Sequence, residues 1–230
     1  MTAPAQLLRL LQLTDSGFPT GAFAFSHGLE GLHAQGAVVN ERDVGDFIAV
    51  HLREGFAGVE CPAMTWSWRY AHDLDLTAVI ALDHLVDAYK PVPAFQSSSV
   101  RTGRRLLESA AGLLSGPMLA GLRERISAGE TPGHHPVAFG VTMEAAGVDI
   151  ETASLALGAG FAGSLTVAAV RLGIIGQVAA QRTLAALHPA IVAAAARGRQ
   201  TPLDDMGAFT PLTDIAGLRQ PRLPGRIFAS

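Results

Sequence analysis

Lysine is almost missing from this 230-residue chain: of 17 basic residues, Lys90 is the single lysine and the other 16 are arginine. A Walker A phosphate loop needs a glycine-rich run ending in Lys-Ser/Thr. Lys90 sits in Ala-Tyr-Lys-Pro, so nucleotide hydrolysis by that route is excluded. Charge of either sign is scarce, at 16% of residues against about 25% in ordinary soluble domains. With net charge −3 and a pI near 6.2, no basic field is available for nucleic acid. Cysteine is reduced to Cys61, which rules out an intrachain disulfide and a cysteine-based zinc knuckle. A lone cysteine beside Pro62 reads as a small buried hydrophobe in a reducing compartment. Strand patterns are missing too, since no segment alternates apolar and polar residues. Basic residues are rare at the start, with only Arg9 in the first forty. A signal peptide is not expected, and the cytosol is the expected location.

What is present is helical. Asn40 reads as an N-cap followed by acidic Glu41 and Asp43. Val44, Phe47, Ile48, His51 and Leu52 then mark one helical face, and His51 on it reads as a core histidine. Asp75 caps a further apolar stretch that Pro91 and Pro93 are expected to stop. Gly116-Pro117 closes the next helix, Pro136 suits a first helical position, and Asp149 caps a long Ala/Gly-rich region. That region holds fifteen alanines between residues 151 and 200, which favours close helix contacts. The 19 uncharged residues between Glu151 and Arg171 are long enough to span a bilayer. Their many Gly, Ala, Ser and Thr residues instead favour a helix buried in a bundle. A small integral membrane protein is the competing reading, to be dismissed by recovery without detergent. The expected fold is a single-domain, all-α orthogonal bundle of roughly ten helices over residues 1–200. An extended tail, 201–230, punctuated by Pro202, Pro211, Pro221 and Pro224, is expected to dock on a partner.

Three catalytic patterns lack their context. Gly158, Gly160 and Gly163 spell GxGxxG, but no strand precedes them and no acid lies between Glu151 and Asp204, as a dinucleotide site requires. Ala24-Phe-Ser26-His-Gly28 imitates a nucleophile elbow without a sheet to carry it. Eight histidines offer no HExxH or His-x-x-x-His spacing. No catalytic residue, metal site or cofactor is therefore assigned, and the chain is not expected to be an enzyme. Arginine and aromatics without lysine suit protein–protein contact.

Several segments, in order, resemble the urease accessory protein F (UreF) family. Residues 10–30 (Leu10-Leu-Gln-Leu-Thr-Asp-Ser-Gly-Phe-Pro-Thr-Gly-Ala-Phe-Ala-Phe-Ser-His-Gly-Leu-Glu30) are similar to its opening signature. Ser99-Val-Arg-Thr-Gly-Arg-Arg is similar to its Arg-x-x-Gly-Arg segment, and His134-His-Pro-Val-Ala-Phe-Gly140 to its His-Pro-x-x-x-Gly segment. Ala169-Val-Arg-Leu-Gly-Ile-Ile-Gly-Gln177 and the ending Arg226-Ile-Phe-Ala-Ser230 also match. Ala22 replaces a family glycine, and Gln220 a family histidine.

The resemblance implies an all-α cytosolic assembly factor for urease that tends to dimerise. It implies pairing with the accessory protein UreD (also UreH), recruitment of the nickel-carrying GTPase UreG, and docking on apo-urease. GTP hydrolysis would thereby be coupled to nickel insertion. The alternative is a true GTPase-activating protein that supplies a catalytic arginine to UreG. The expected partner-binding residues are Asp15, Phe18, Pro19, Gly21, Phe23, Ser26, Gly28 and Glu30 near the start. Arg101, Arg104, Arg171 and Gln177 follow in the middle, and Arg219, Arg222, Arg226 and Phe228 at the end. Expressed alone, such a chain should associate with itself more readily than beside its partner.

Overall fold

In a computed structural model, residues 4–21, 25–220, 225, 227 and 228 are described. Twelve α-helices and no strand occur among them, arranged as an all-α bundle. The first are α1 (Pro4–Thr14), α2 (Leu29–Ala34) and α3 (Glu41–His51), followed by α4 (Cys61–His72), α5 (Leu76–Ala88) and α6 (Pro93–Ala110). Next come α7 (Pro117–Ser127), α8 (His135–Ala145), α9 (Ile150–Arg171), α10 (Gln177–Ala186), α11 (His188–Gln200) and α12 (Pro211–Arg219).

The caps read from sequence are in place. Asn40, Asp75 and Asp149 accept the backbone N–H of Asp43, Ala78 and Thr152 at 3.0, 2.9 and 2.8 Å. Each satisfies one of the donors a helix start leaves over. Pro93 opens α6 rather than only stopping α5, because proline's missing N–H costs nothing in a first turn. Residues 201–220 hold a 3₁₀ turn (Leu203–Asp205) and α12, whose first turn likewise carries Pro211.

Between α3 and α4 lies a π-helical segment, Leu52–Glu60, so Glu41–His72 is one unbroken rod. The wider i→i−5 spacing, seen in Cys61 N–H donating to the Phe56 carbonyl, changes which side chains face which neighbour. The rod thereby feeds two cores. Val44, Ile48, Phe56 and Met64 join α9, α10 and α11 in one. Val59, Ala63 and Ala71 join α5, α7 and α8 in the other. Cys61 is buried against α11, and burial pushes its thiol up to about 12, so it packs as an inert hydrophobe.

Helix α8 lies hard against α4 because Gly140 has no side chain. A Cβ there would collide with the Ser67 hydroxyl and the Met64 carbonyl. The loop entering α8 is held by Asp83 of α5. This fully buried carboxylate accepts the N–H groups of Gly133 and His134 at 2.6 and 2.8 Å, and the Thr131 hydroxyl. α9 is the one helix among the described residues long and apolar enough to cross a membrane, and half of its apolar window is buried in the fold. It packs on α3, α4, α8, α10 and α11. Its GxGxxG spelling lies within a helix: Gly158 packs against Phe56 and Ile191, while Gly160 and Gly163 meet nothing within 4 Å, so only the first glycine serves packing.

Candidate partner-docking surface

Residues 26–31 meet α12 and the described residues that follow it. Gly28 caps α2 with φ +84°, a left-handed conformation that glycine adopts without strain. The hydrogens of Gly28 and Gly31 let α12 approach so closely that a Cβ on either would lie 3.1 Å from the Thr213 or Ala216 carbonyl. On the same side Gly217 seats the Phe95 ring of α6. α2, α6 and α12 therefore form one layer.

Glu30, on α2 at the edge of this layer, is 6% exposed. Its carboxylate accepts the Gln220 side-chain amide at 3.0 Å, the Phe228 N–H at 3.2 Å and the Ile227 N–H. The Gln220 amide also reaches the buried Ser26 hydroxyl at 3.5 Å. Phe228 is 2% exposed, belongs to the larger core and is covered by the Arg171 guanidinium, 4.3 Å from its ring centroid, within cation–π range. So the structure joins Ser26, Gly28, Glu30, Arg171 and Phe228, which are scattered in sequence.

The remaining expected residues are placed differently. Asp15 and Pro19 are exposed in the turn after α1, where Asp15 accepts the Gly17 N–H at 2.7 Å. Phe18 is half-buried against the core. Gly21 is exposed, with the Arg105 side chain 3.8 Å from where its Cβ would stand. Arg101 and Arg104 are exposed on α6. Arg101 lies over the Phe25 ring, and the Arg104 Nε donates to the Pro132 carbonyl at 2.7 Å. Gln177 at the start of α10 and Arg219 at the end of α12 are exposed. Phe23, Arg222 and Arg226 lie outside the described residues.

One feature escaped the sequence reading. α12 buries Thr213, Ala216 and Gly217. Its other side presents Leu212 (72% exposed), Ile215 and Leu218 (56%), with Phe209 (77%) just before it. The 212/215/218 spacing was the signal, an apolar stripe opposite a small-residue face.

Beneath the layer, a cavity of about 400 Å³ is lined by His27, His51, His135, Phe95 and Phe161, with Thr213 of α12 in its wall. Burial holds all three imidazoles down at about 4, so they are neutral at pH 7. In the same cavity the half-buried Lys90–Glu60 ion pair closes on itself. Burial would raise the Glu60 carboxyl, but the Lys90 ammonium overcomes it and lowers it instead. Among the described residues no group of three or more His, Cys, Asp or Glu side chains is arranged to hold a metal ion.

A chain-length comparison agrees with the motifs. The UreF family model matches residues 38–188. The chain is 32% identical to the urease accessory protein UreF of Trichodesmium erythraeum over 226 residues, covering 98% of this chain and 97% of that one. It is 34% identical to that of Paenarthrobacter aurescens over 230 residues, covering both chains completely. With that of Bacillus sp. (strain TB-90) it shares 30% over 225 residues, covering 98% and 99%. The chain belongs to the UreF family of urease accessory proteins.

Proposed function

We propose that this protein is a cytosolic scaffold in urease assembly. It binds the UreD (UreH) accessory protein, recruits the UreG GTPase to apo-urease and couples GTP hydrolysis to nickel insertion. A homodimer within that complex is part of the reading. The observation that carries it is the layer built from the two chain ends. A helix of nine residues (α12) is seated on the family's opening signature with its apolar side left outward. A contiguous exposed apolar face is what protein partners cover. We assign the α12 face to UreD (UreH), and the Arg101–Arg104 side of α6, which shares the layer, to the rest of the complex.

Capture on tagged UreD (UreH) tests this. Ile215→Asp with Leu218→Asp should abolish capture while the far-ultraviolet circular dichroism stays that of wild type. Truncation after Gly217 should do the same. Capture of the doubly substituted chain at wild-type level would sink the assignment. Arg101 and Arg104 are engaged by Phe25 and Pro132 of their own chain, which favours scaffolding over donation of an arginine in trans. Single-turnover GTP hydrolysis by UreG with Arg101→Ala and Arg104→Ala should therefore change little.

A further inference from the structure

We propose that Glu30 is the positioning residue of the docking surface: its buried carboxylate latches the C-terminal tail, and the latched tail fixes α12 for its partner. The proposal rests on the assignment of the α12 face to a protein partner. Three facts converge on it. First, Glu30 spends both carboxylate oxygens on donors from the far end of the chain, one side-chain amide and two consecutive backbone N–H groups. Hydrogen bonds to an ionised acceptor are the strong ones, and a buried carboxylate can only accept. Second, the bonds flank a hydrophobic anchor. Phe228, one of the donors, is buried in the core beneath Arg171, so charge and packing grip the same residue. Third, Gln220 continues directly from α12. What holds Gln220 and Phe228 fixes the pitch of the helix whose Leu212, Ile215 and Leu218 face outward.

The chemistry specifies a carboxylate. The Gln220 amide points its nitrogen at Glu30, leaving its buried Oε1 without a partner. The reverse orientation would set that oxygen against a carboxylate oxygen. An amide in place of Glu30 would turn one acceptor into a donor facing another donor. Glu30→Gln is therefore nearly isosteric and chemically opposed, and the glycine contacts of α2 with α12 are left as they are.

The experiment uses the full chain. Amide hydrogen exchange at residues 225–228 is compared between wild type, Glu30→Gln, Phe228→Ala and the double variant, beside capture on the partner accessory protein. We expect Glu30→Gln to speed tail exchange by at least about tenfold, with α4, α8 and α9 unchanged and capture weakened by a similar factor. The double variant should be no worse than the worse single one, because both act through the same seated tail. A general loss of stability would add instead and reach the core helices. Unchanged tail exchange in Glu30→Gln would overturn the latch. Faster tail exchange with undiminished capture would overturn its link to docking. Failure of the docking assignment itself is read separately, from Ile215→Asp with Leu218→Asp.

Discussion

Asp83 and Glu30 are both buried carboxylates that collect donors from a segment remote in sequence, but they sit in different company. Asp83 holds residues 131–134 against α5, within a core that α5, α7 and α8 close on every side. Glu30 holds Gln220, Ile227 and Phe228 against α2, at the edge of a layer whose outer side is open. The same acceptor chemistry thus does two things. Inside, it replaces water for a loop that has to be buried. At the edge, it gives one position to a chain end that would otherwise fray. A buried carboxylate with backbone donors therefore marks a fixed segment, and its surroundings decide whether fixing serves stability or presentation.

The largest effect should come from Asp83→Ala, which strands two backbone N–H groups and a hydroxyl in the interior. At about 1–3 kcal/mol for each orphaned group, the loss should exceed about 3 kcal/mol. The thermal midpoint should fall by about 6–12 °C for a chain of this size. Glu30→Ala should cost less, about 1–2 kcal/mol, because its donors can reach water once the tail lifts. Equal losses in calorimetry would erase the distinction between inner and edge carboxylates.

Acidification should act on the interior. Burial holds His51 down at about 4, and burial is also what lowers His134, whose backbone N–H is held by Asp83. Asp83, Asp87 and Lys90 face His134 as well. A histidine lowered on folding is favoured neutral. Its contribution is complete above the unfolded value near 6.5 and is lost as pH falls toward about 4, where the unfolded chain binds more protons. The urea midpoint should therefore drop between pH 7 and pH 5, and His51→Gln should flatten the drop. The smallest stability effect belongs to Ile215→Asp, within about 0.5 kcal/mol by urea titration, although with Leu218→Asp it abolishes capture.

Much of the fold was legible because it rests on local chemistry. Asn40, Asp75 and Asp149 announce helix starts through their side-chain oxygens, and Pro136 through its missing donor. The π-helical stretch was not legible, since nine residues are too few to separate its period from 3.6. Residues 61–72 gave no helix pattern of their own, although Cys61 read as the buried hydrophobe it is, and α12 was hidden among prolines that read as breakers, although Pro211 starts it. At the site, Glu30 and Phe228 were named for their place in family motifs. That they touch is a contact across nearly the whole chain, for which no periodicity exists. The outward stripe of α12 was readable in principle, from apolar residues three apart opposite Thr213, Ala216 and Gly217.

The single lysine gains a practical meaning from its surroundings. Lys90 is 11% exposed and tied to Glu60, so reagents that attack lysine amines find almost nothing to react with on this molecule. Lysine-directed cross-linkers would leave its contacts in an assembly blank. Carboxyl-directed or photo-activated linkers are the reagents matched to such a surface. The α12 face itself carries only Asp214 and Arg219 as charged handles beside its exposed leucines.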